Sequence, residues 1–281
     1  MSKWLMFVLI VFLGCVSPPE KNDEYEQSAP VTIHIDEDLE VDTTSPKLIK
    51  QVNKSSPVKT YYNYTPKVGN GVVVTHQYYT LSYVEEHEQA EWVAYKLNTT
   101  FTGGGAKRNR SFYYDPSVTT RSASASDYKY SGYDRGHLLP AADRKLSKEA
   151  MRETFLMSNI SPQHPDLNRR AWRELEEQIR DNLQYYDSLY IVTGPVFSGN
   201  EQKIGKNEVT VPSHFYKIIV YYTDKMCTTA YLMPNEPVQH VLPEHLVTID
   251  SLESLTGIDF FYQLPYNMQD DFEAKTCLTL R

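Results

Sequence analysis

The chain has 281 residues, with 28 Lys plus Arg against 36 Asp plus Glu and a formal net charge of −8. That length supports one large domain or two small ones with a sizeable core. Overall acidity argues against a nucleic-acid surface, but residues 16–45 hold nine Asp plus Glu and one Lys, a net −8 that equals the total and leaves the remainder close to neutral.

Residues 1–14 read as a leader. Lys3 is its only charge, and Trp4–Leu13 is an unbroken apolar run. The run is shorter than the roughly 17 residues that a bilayer-spanning helix requires, and it fits the apolar region of a signal peptide. Phe12-Leu-Gly-Cys15 resembles the bacterial lipobox, in which a small residue precedes a cysteine that becomes lipidated at the new N-terminus. That resemblance makes Cys15 a lipidation site and membrane anchor. The alternative is an ordinary secretory leader in which Cys15 is incidental. Both readings export the protein, the first as a lipoprotein of the periplasm or cell surface. Residues 15–55 carry Pro18, Pro19, scattered Ser and Thr and two acidic clusters without apolar periodicity. They are expected to form a disordered acidic tether ahead of a folded domain at 56–281. Cys227 and Cys277 are then left for a disulfide, and the sequence leaves paired and free states both open. No Cys/His cluster has zinc spacing.

Val72–Thr75 and Tyr78–Tyr83 are rich in β-branched and aromatic residues and follow Gly69-Asn-Gly71, which predicts two strands. Glu91–Leu97 alternates polar and apolar, the pattern of a half-buried strand. Thr102–Arg110 reads as a loop rich in Gly, Arg and Lys, and Ser117–Tyr130 as an exposed polar connection. A helix is expected from Ser147 to Leu156. Pro165-Asp166 then offers a second helix entry with Asp166 as its N-cap. Leu167, Ala171, Leu175, Ile179 and Leu183 form a core-facing stripe at helical spacing, and Asn168, Trp172, Glu176 and Arg180 form another one residue along. Ser188–Thr193 reads as a buried strand stopped by Gly194-Pro195. Val209–Val211, Tyr216–Tyr222 and Thr228–Met233 read as further strands, and Ile249–Leu255 as a helix ahead of core residues Phe260 and Phe261. Strands and helices mix without regular βαβ alternation, so the predicted fold is α+β, a largely antiparallel central sheet with flanking helices.

The chemistry is densest in Ser131-Gly-Tyr-Asp-Arg-Gly-His-Leu-Leu-Pro140, where Asp134, Arg135 and His137 sit among Gly132, Gly136 and Pro140. Gly136 lets the chain pack closely or adopt an unusual φ beside His137. Histidine titrates nearest working pH and suits a general base, although a lone histidine in a turn is more often a core residue. With the second helical stripe, the set suits metal-assisted attack on a phosphodiester. That reaction needs a base for water, a divalent ion at the developing charge, and cations on the phosphate. His137 is the candidate base, Asn168 the candidate ligand of a hard ion such as Mg²⁺, and Glu176 the candidate holder of a metal-bound water. Arg110, Arg135 and Arg180 are candidate phosphate grips. Taken alone, the stripe is also what an ordinary solvated helix face looks like.

At these positions the sequence resembles the DNA/RNA non-specific endonucleases with a ββα-metal site, which include secreted bacterial nucleases and mitochondrial endonuclease G. Asp134-Arg-Gly-His137, Ser158-Asn-Ile-Ser-Pro-Gln163 and Asn168…Trp172…Leu175-Glu176…Arg180 carry the resemblance. It continues through Thr193-Gly-Pro195, Val211-Pro-Ser213, Tyr216-Lys217, Pro234-Asn235 and Glu253…Thr256-Gly257, spanning residues 70–265. It implies a ββα-metal active-site motif with His137 as general base and Asn168 as the single direct protein ligand of Mg²⁺ or Mn²⁺. Glu176 would hold a metal-bound water, Asn159 would support the histidine-bearing segment, and Arg110, Arg135 and Arg180 would lie near the scissile phosphate. The substrates implied are DNA and RNA, cut to 5′-phosphate and 3′-hydroxyl ends, with no protein partner expected. Asp134 is expected to make a structural bond rather than touch metal, His164 to be an exposed loop histidine, and Trp172 to pack. Two rival readings are a surface lipoprotein that binds extracellular nucleic acid without cutting it and an antibacterial toxin checked by an immunity partner.

Overall fold

The computed structural model of the chain describes residues 64–120, 122–222, 226–238 and 242–274. The leader, the tether, Cys15 and Cys277 lie outside the described residues, and the lipidation and disulfide expectations lie there with them. Among the described residues no helix is long and apolar enough to cross a membrane.

The strands are β1 (Val72–Thr75), β2 (Thr80–Val84), β3 (Gln89–Leu97), β4 (Asp134–His137), β5 (Ile160–Gln163), β6 (Leu189–Val196), β7 (Lys203–Ile204), β8 (Val209–Thr210), β9 (His214–Tyr222), β10 (Met226–Pro234) and β11 (Leu246–Val247). The helices are α1 (Thr99–Thr102), α2 (Lys148–Glu153), α3 (Trp172–Asp181), α4 (Ile249–Thr256) and α5 (Tyr266–Glu273). Seven strands form one antiparallel sheet in the order β1-β2-β3-β6-β9-β10-β11. β4 pairs with β5, and β7 with β8, as two small antiparallel ribbons. The α+β expectation is met.

Both faces of the large sheet are covered. Along β9, Phe215, Ile219 and Tyr221 pack with Leu167, Ala171, Trp172, Leu175 and Ile179, while Tyr216, Ile218 and Val220 pack with Ile249, Leu252, Phe260 and Phe261. This two-sided cover corrects the half-buried reading of β3, where Lys96 is the one exposed residue. Glu91 is buried there because its carboxylate accepts from Gly69 N, Asn70 N and Ser82 Oγ. β6 runs on through Gly194-Pro195, which pair with Tyr216 and Phe215. A Cβ at Gly194 would lie 2.6 Å from the Tyr216 hydroxyl, so glycine serves close packing there rather than a stop.

Two local expectations fail for want of long-range information. Ser117–Tyr130 is not an exposed connection, since Val118, Ser122, Ala123, Asp127 and Tyr128 are buried. Asp127 accepts from Ser124 N at 2.7 Å, Lys206 N at 2.9 Å and Asn207 Nδ2 at 2.7 Å, which ties the segment to the turn after β7. Asp166 is already helical (φ −70°, ψ −38°) and its side chain caps nothing. The His164 ring does that work, Nδ1 accepting from Asp166 N at 3.2 Å. Ser147 caps α2 as expected, accepting from Ala150 N at 3.1 Å, though the helix ends at Glu153.

Candidate active site

β4 and β5 pair from Asp134–Gln163 to His137–Ile160. The chain then turns at His164 into a π-helical turn, Leu167–Ala171, that continues as α3. Two strands and a helix therefore converge. Gly136 is required for close packing, because a Cβ would sit 2.6 Å from Gln163 Cβ; the positive φ values nearby, +63° and +86°, belong to Tyr130 and Gly132. The stripe Leu167, Ala171, Leu175, Ile179 and Leu183 is buried throughout, which fixes the rotation of α3 and turns Asn168, Glu176 and Arg180 to its flank.

His137 is 9% exposed and lies against two rings, with centroids 4.8 Å from Phe155, edge-on, and 5.7 Å from Phe112. Burial, and then the charge of Arg108, lower its imidazole to about 3, against a hydrogen bond with the Arg135 backbone that raises it. The ring is therefore neutral at neutral pH. Nε2 is buried and has no hydrogen-bond partner among the described residues, so it is the ring nitrogen left to accept a proton. Asn159, fully buried, locks the backbone that follows. Its Oδ1 accepts from Leu139 N at 2.8 Å, while Nδ2 donates to Leu139 O at 3.0 Å and Thr154 O at 2.8 Å. The loop carrying Arg108 and Phe112 is stitched to this unit through Tyr113 N to Phe155 O and Met157 N to Tyr113 O. Asp115, accepting from His76 Nε2 and Ser158 Oγ, anchors its far end.

Asp134 Oδ2 accepts from Asn168 Nδ2 at 2.9 Å and Arg169 Nε at 2.8 Å, and Oδ1 takes Arg169 Nη2 at 2.6 Å. Burial alone would raise the Asp134 carboxyl, but the bonds from Arg169 and Asn168 outweigh it and hold the group below the usual carboxylate range. A carboxylate only accepts, so the Asn168 amide is fixed with its NH₂ toward Asp134 and its Oδ1 turned away. Asp134 is thus a structural partner, as expected. An amide oxygen presented this way, with the Glu176 carboxyl two turns along the same face, fits a hard divalent ion that keeps several waters and takes few protein ligands.

Burial pushes the Glu176 carboxyl up, Lys217 being the strongest of the charges that restrain it and Arg180 and Arg108 adding to that restraint. Arg180 is engaged, its Nη1 pairing with Asp143 Oδ1 at 2.9 Å. Arg135 is exposed, its guanidinium carbon 4.8 Å from the Phe112 ring centroid. Arg110 is exposed too, its backbone N–H donating to Asn109 Oδ1. The arginine of that loop whose charge acts on His137 is Arg108, 5.3 Å from the Phe155 ring centroid. Sequence reasoning missed Arg108 because both arginines stand in one basic loop, and it assigned no role to Asp143 or Lys217. Trp172 packs, 1% exposed, and His164 is half-buried at the helix entry.

The profile of the DNA/RNA non-specific endonuclease family matches residues 57–267. Mitochondrial endonuclease G of Bos taurus is 38% identical over 198 residues, 65% of this chain and 66% of that protein. A nuclease of Nostoc sp. is 37% identical over 219 residues, 73% of this chain and 78% of its own length. The solved structure of the EndoG/EndoGI complex superposes with a TM-score of 0.66 at 31% identity, covering 74% of this chain and 91% of the matched one.

Proposed function

This chain belongs to the DNA/RNA non-specific endonuclease family, a family of nucleases, and we propose that it hydrolyses DNA and RNA phosphodiesters with Mg²⁺ as an exported enzyme tethered by a lipid on Cys15. One observation carries the reading. The β4–β5–α3 unit carries both a histidine whose Nε2 has no partner among the described residues and an asparagine whose amide oxygen is turned away from a fixed carboxylate.

His137 Nε2 takes a proton from the attacking water. Arg108 faces the phosphate, and a bound phosphodiester offsets the charge that depresses His137, so the ring gains basicity when substrate is in place. Phe112 and Phe155 hold the imidazole and keep bulk water from it. Asn168 Oδ1, directly, and the Glu176 carboxyl, through water, are the groups that would hold the ion. Bound Mg²⁺ supplies Lewis-acid stabilisation of charge on the phosphate and on the departing oxygen. Water attacks phosphorus as the bond from phosphorus to the 3′ oxygen breaks, and that oxygen takes up a proton from solvent, which leaves 5′-phosphate and 3′-hydroxyl ends. Arg135, exposed beside Phe112, is free to grip the phosphate bidentately. Contacts of this kind carry no base information, so little sequence preference is expected.

The test is end-group analysis on DNA and RNA incubated with the full chain. Products should carry 5′-phosphates and should not form in EDTA. Binding without cutting under any divalent ion would instead make this a nucleic-acid-binding lipoprotein. Anchoring is tested by incorporation of labelled palmitate, which Cys15→Ala should abolish.

A further inference from the structure

β9 places Lys217 between Phe215 and Ile219 on the face beneath α3, and its side chain is fully buried. A buried ammonium is strongly unfavourable unless compensated. Among the described residues no ion pair joins Lys217 to a carboxylate. Its Nζ donates to Leu138 O at 3.4 Å and lies 4.9 Å from the centroid of the Trp172 ring. Leu138 directly follows His137, and Trp172 stands on the helix between Asn168 and Glu176. One side chain of the central sheet therefore touches both arms of the ββα unit.

The surrounding charges narrow its role. Lys217 feels Glu176 and Asp143 as attractive and Arg180 as repulsive. Asp143 is already paired with Arg180 at 2.9 Å, so Glu176 is the carboxyl acting on Lys217 that has no ion pair of its own among the described residues. Replacing a buried charge pair by apolar groups of similar volume is often neutral or stabilising, so packing alone does not call for an ammonium here. We propose that Lys217 is a positioning residue of the phosphodiesterase site, holding the Leu138 carbonyl behind His137 and supplying the buried counter-charge of Glu176. This rests on the nuclease reading above.

The test is a double-mutant cycle in the full chain with Lys217→Met, Glu176→Gln and the double variant, plus Lys217→Arg. Thermal unfolding is measured for each, with steady-state cleavage of a fluorogenic oligonucleotide in Mg²⁺. Lys217→Met should lower Tm and lower kcat by at least about tenfold with KM within about twofold, the signature of lost transition-state geometry rather than lost binding. Lys217→Arg, which keeps the charge, should retain more kcat than Lys217→Met. The double variant should melt higher than Lys217→Met alone, because no carboxyl is left without its counter-charge. Wild-type kcat in Lys217→Met, or additive changes in Tm, would overturn the proposal. If Lys217→Met fails to fold, the double variant decides: a folded double supports the counter-charge role and an unfolded one removes it. The melting cycle reads without cleavage, so a wild type that never cuts refutes the nuclease reading and the positioning role while the charge coupling is still measured.

Discussion

Removing Asp134 should cost metal affinity more than it costs fold. In Asp134→Ala the Asn168 amide loses a hydrogen bond to a charged acceptor at 2.9 Å, and Arg169 loses its paired contacts. A bond to a charged group contributes about 1.5–3 kcal/mol, and the Arg169 pair, with a side chain 66% exposed, is screened by solvent. Global stability should therefore fall by about 1.5–3 kcal/mol. The specific effect is rotational. Without Asp134 nothing selects the amide orientation that presents Oδ1, and partners of this kind are worth about 10–100-fold in metal affinity. Calorimetric titration of Mg²⁺ or Mn²⁺ into folded protein is the assay. Asp134→Asn, which keeps an acceptor oxygen, should fall between wild type and Asp134→Ala, and Arg169→Ala should bind metal within about twofold of wild type. Wild-type metal affinity in Asp134→Ala would refute the claim that this carboxylate orients the ligand.

The other perturbations test separate parts of the site. His137 has its folded pKa depressed from 6.5 to about 3, so the unfolded chain binds the extra proton. Its contribution is complete above about pH 6.5 and is lost as pH falls toward 3, at up to about 1.4 kcal/mol per pH unit; urea denaturation of wild type against His137→Ala should show a shallower acid slope in the variant. Asn159→Ala strips partners from Leu139 N, Leu139 O and Thr154 O. At about 1 kcal/mol for each buried bond, it should lose about 3 kcal/mol by denaturant titration, with cleavage falling in parallel. Arg108→Ala should reduce kcat/KM by about tenfold or more while Arg110→Ala changes it little, and equal losses would place the phosphate elsewhere along the loop.

How much was legible beforehand depended on how local the signal was. The α3 core stripe was readable because a helix repeats its buried face every turn, and the rotation it sets also places Asn168 and Glu176. Asp134-Arg-Gly-His137 was readable through its place in the ordered set of motifs that resembles the endonuclease family, and the structure adds the reason for its glycine: Gly136 packs against the Gln163 side chain. What the sequence hid depends on distant partners. Glu91 and Asp127 look like solvated acids until the groups that donate to them, Ser82 and Asn207 among them, are brought in by the fold. Arg108 and Arg110 differ only in which of them reaches Phe155. Lys217 is the one charge in the strand stretch Tyr216–Tyr222, and only the cover of α3 over that face makes it a buried charge.

The most direct measurement is nicking of supercoiled plasmid by wild type and by His137→Ala of matched thermal stability, each in Mg²⁺ and in EDTA. A neutral, unpartnered imidazole acting as general base predicts rapid nicking by wild type in Mg²⁺, none in EDTA, and a loss of at least about 10²-fold in His137→Ala. Undiminished cutting by His137→Ala, or a folded wild type that binds plasmid and never cuts it, would contradict the assignment.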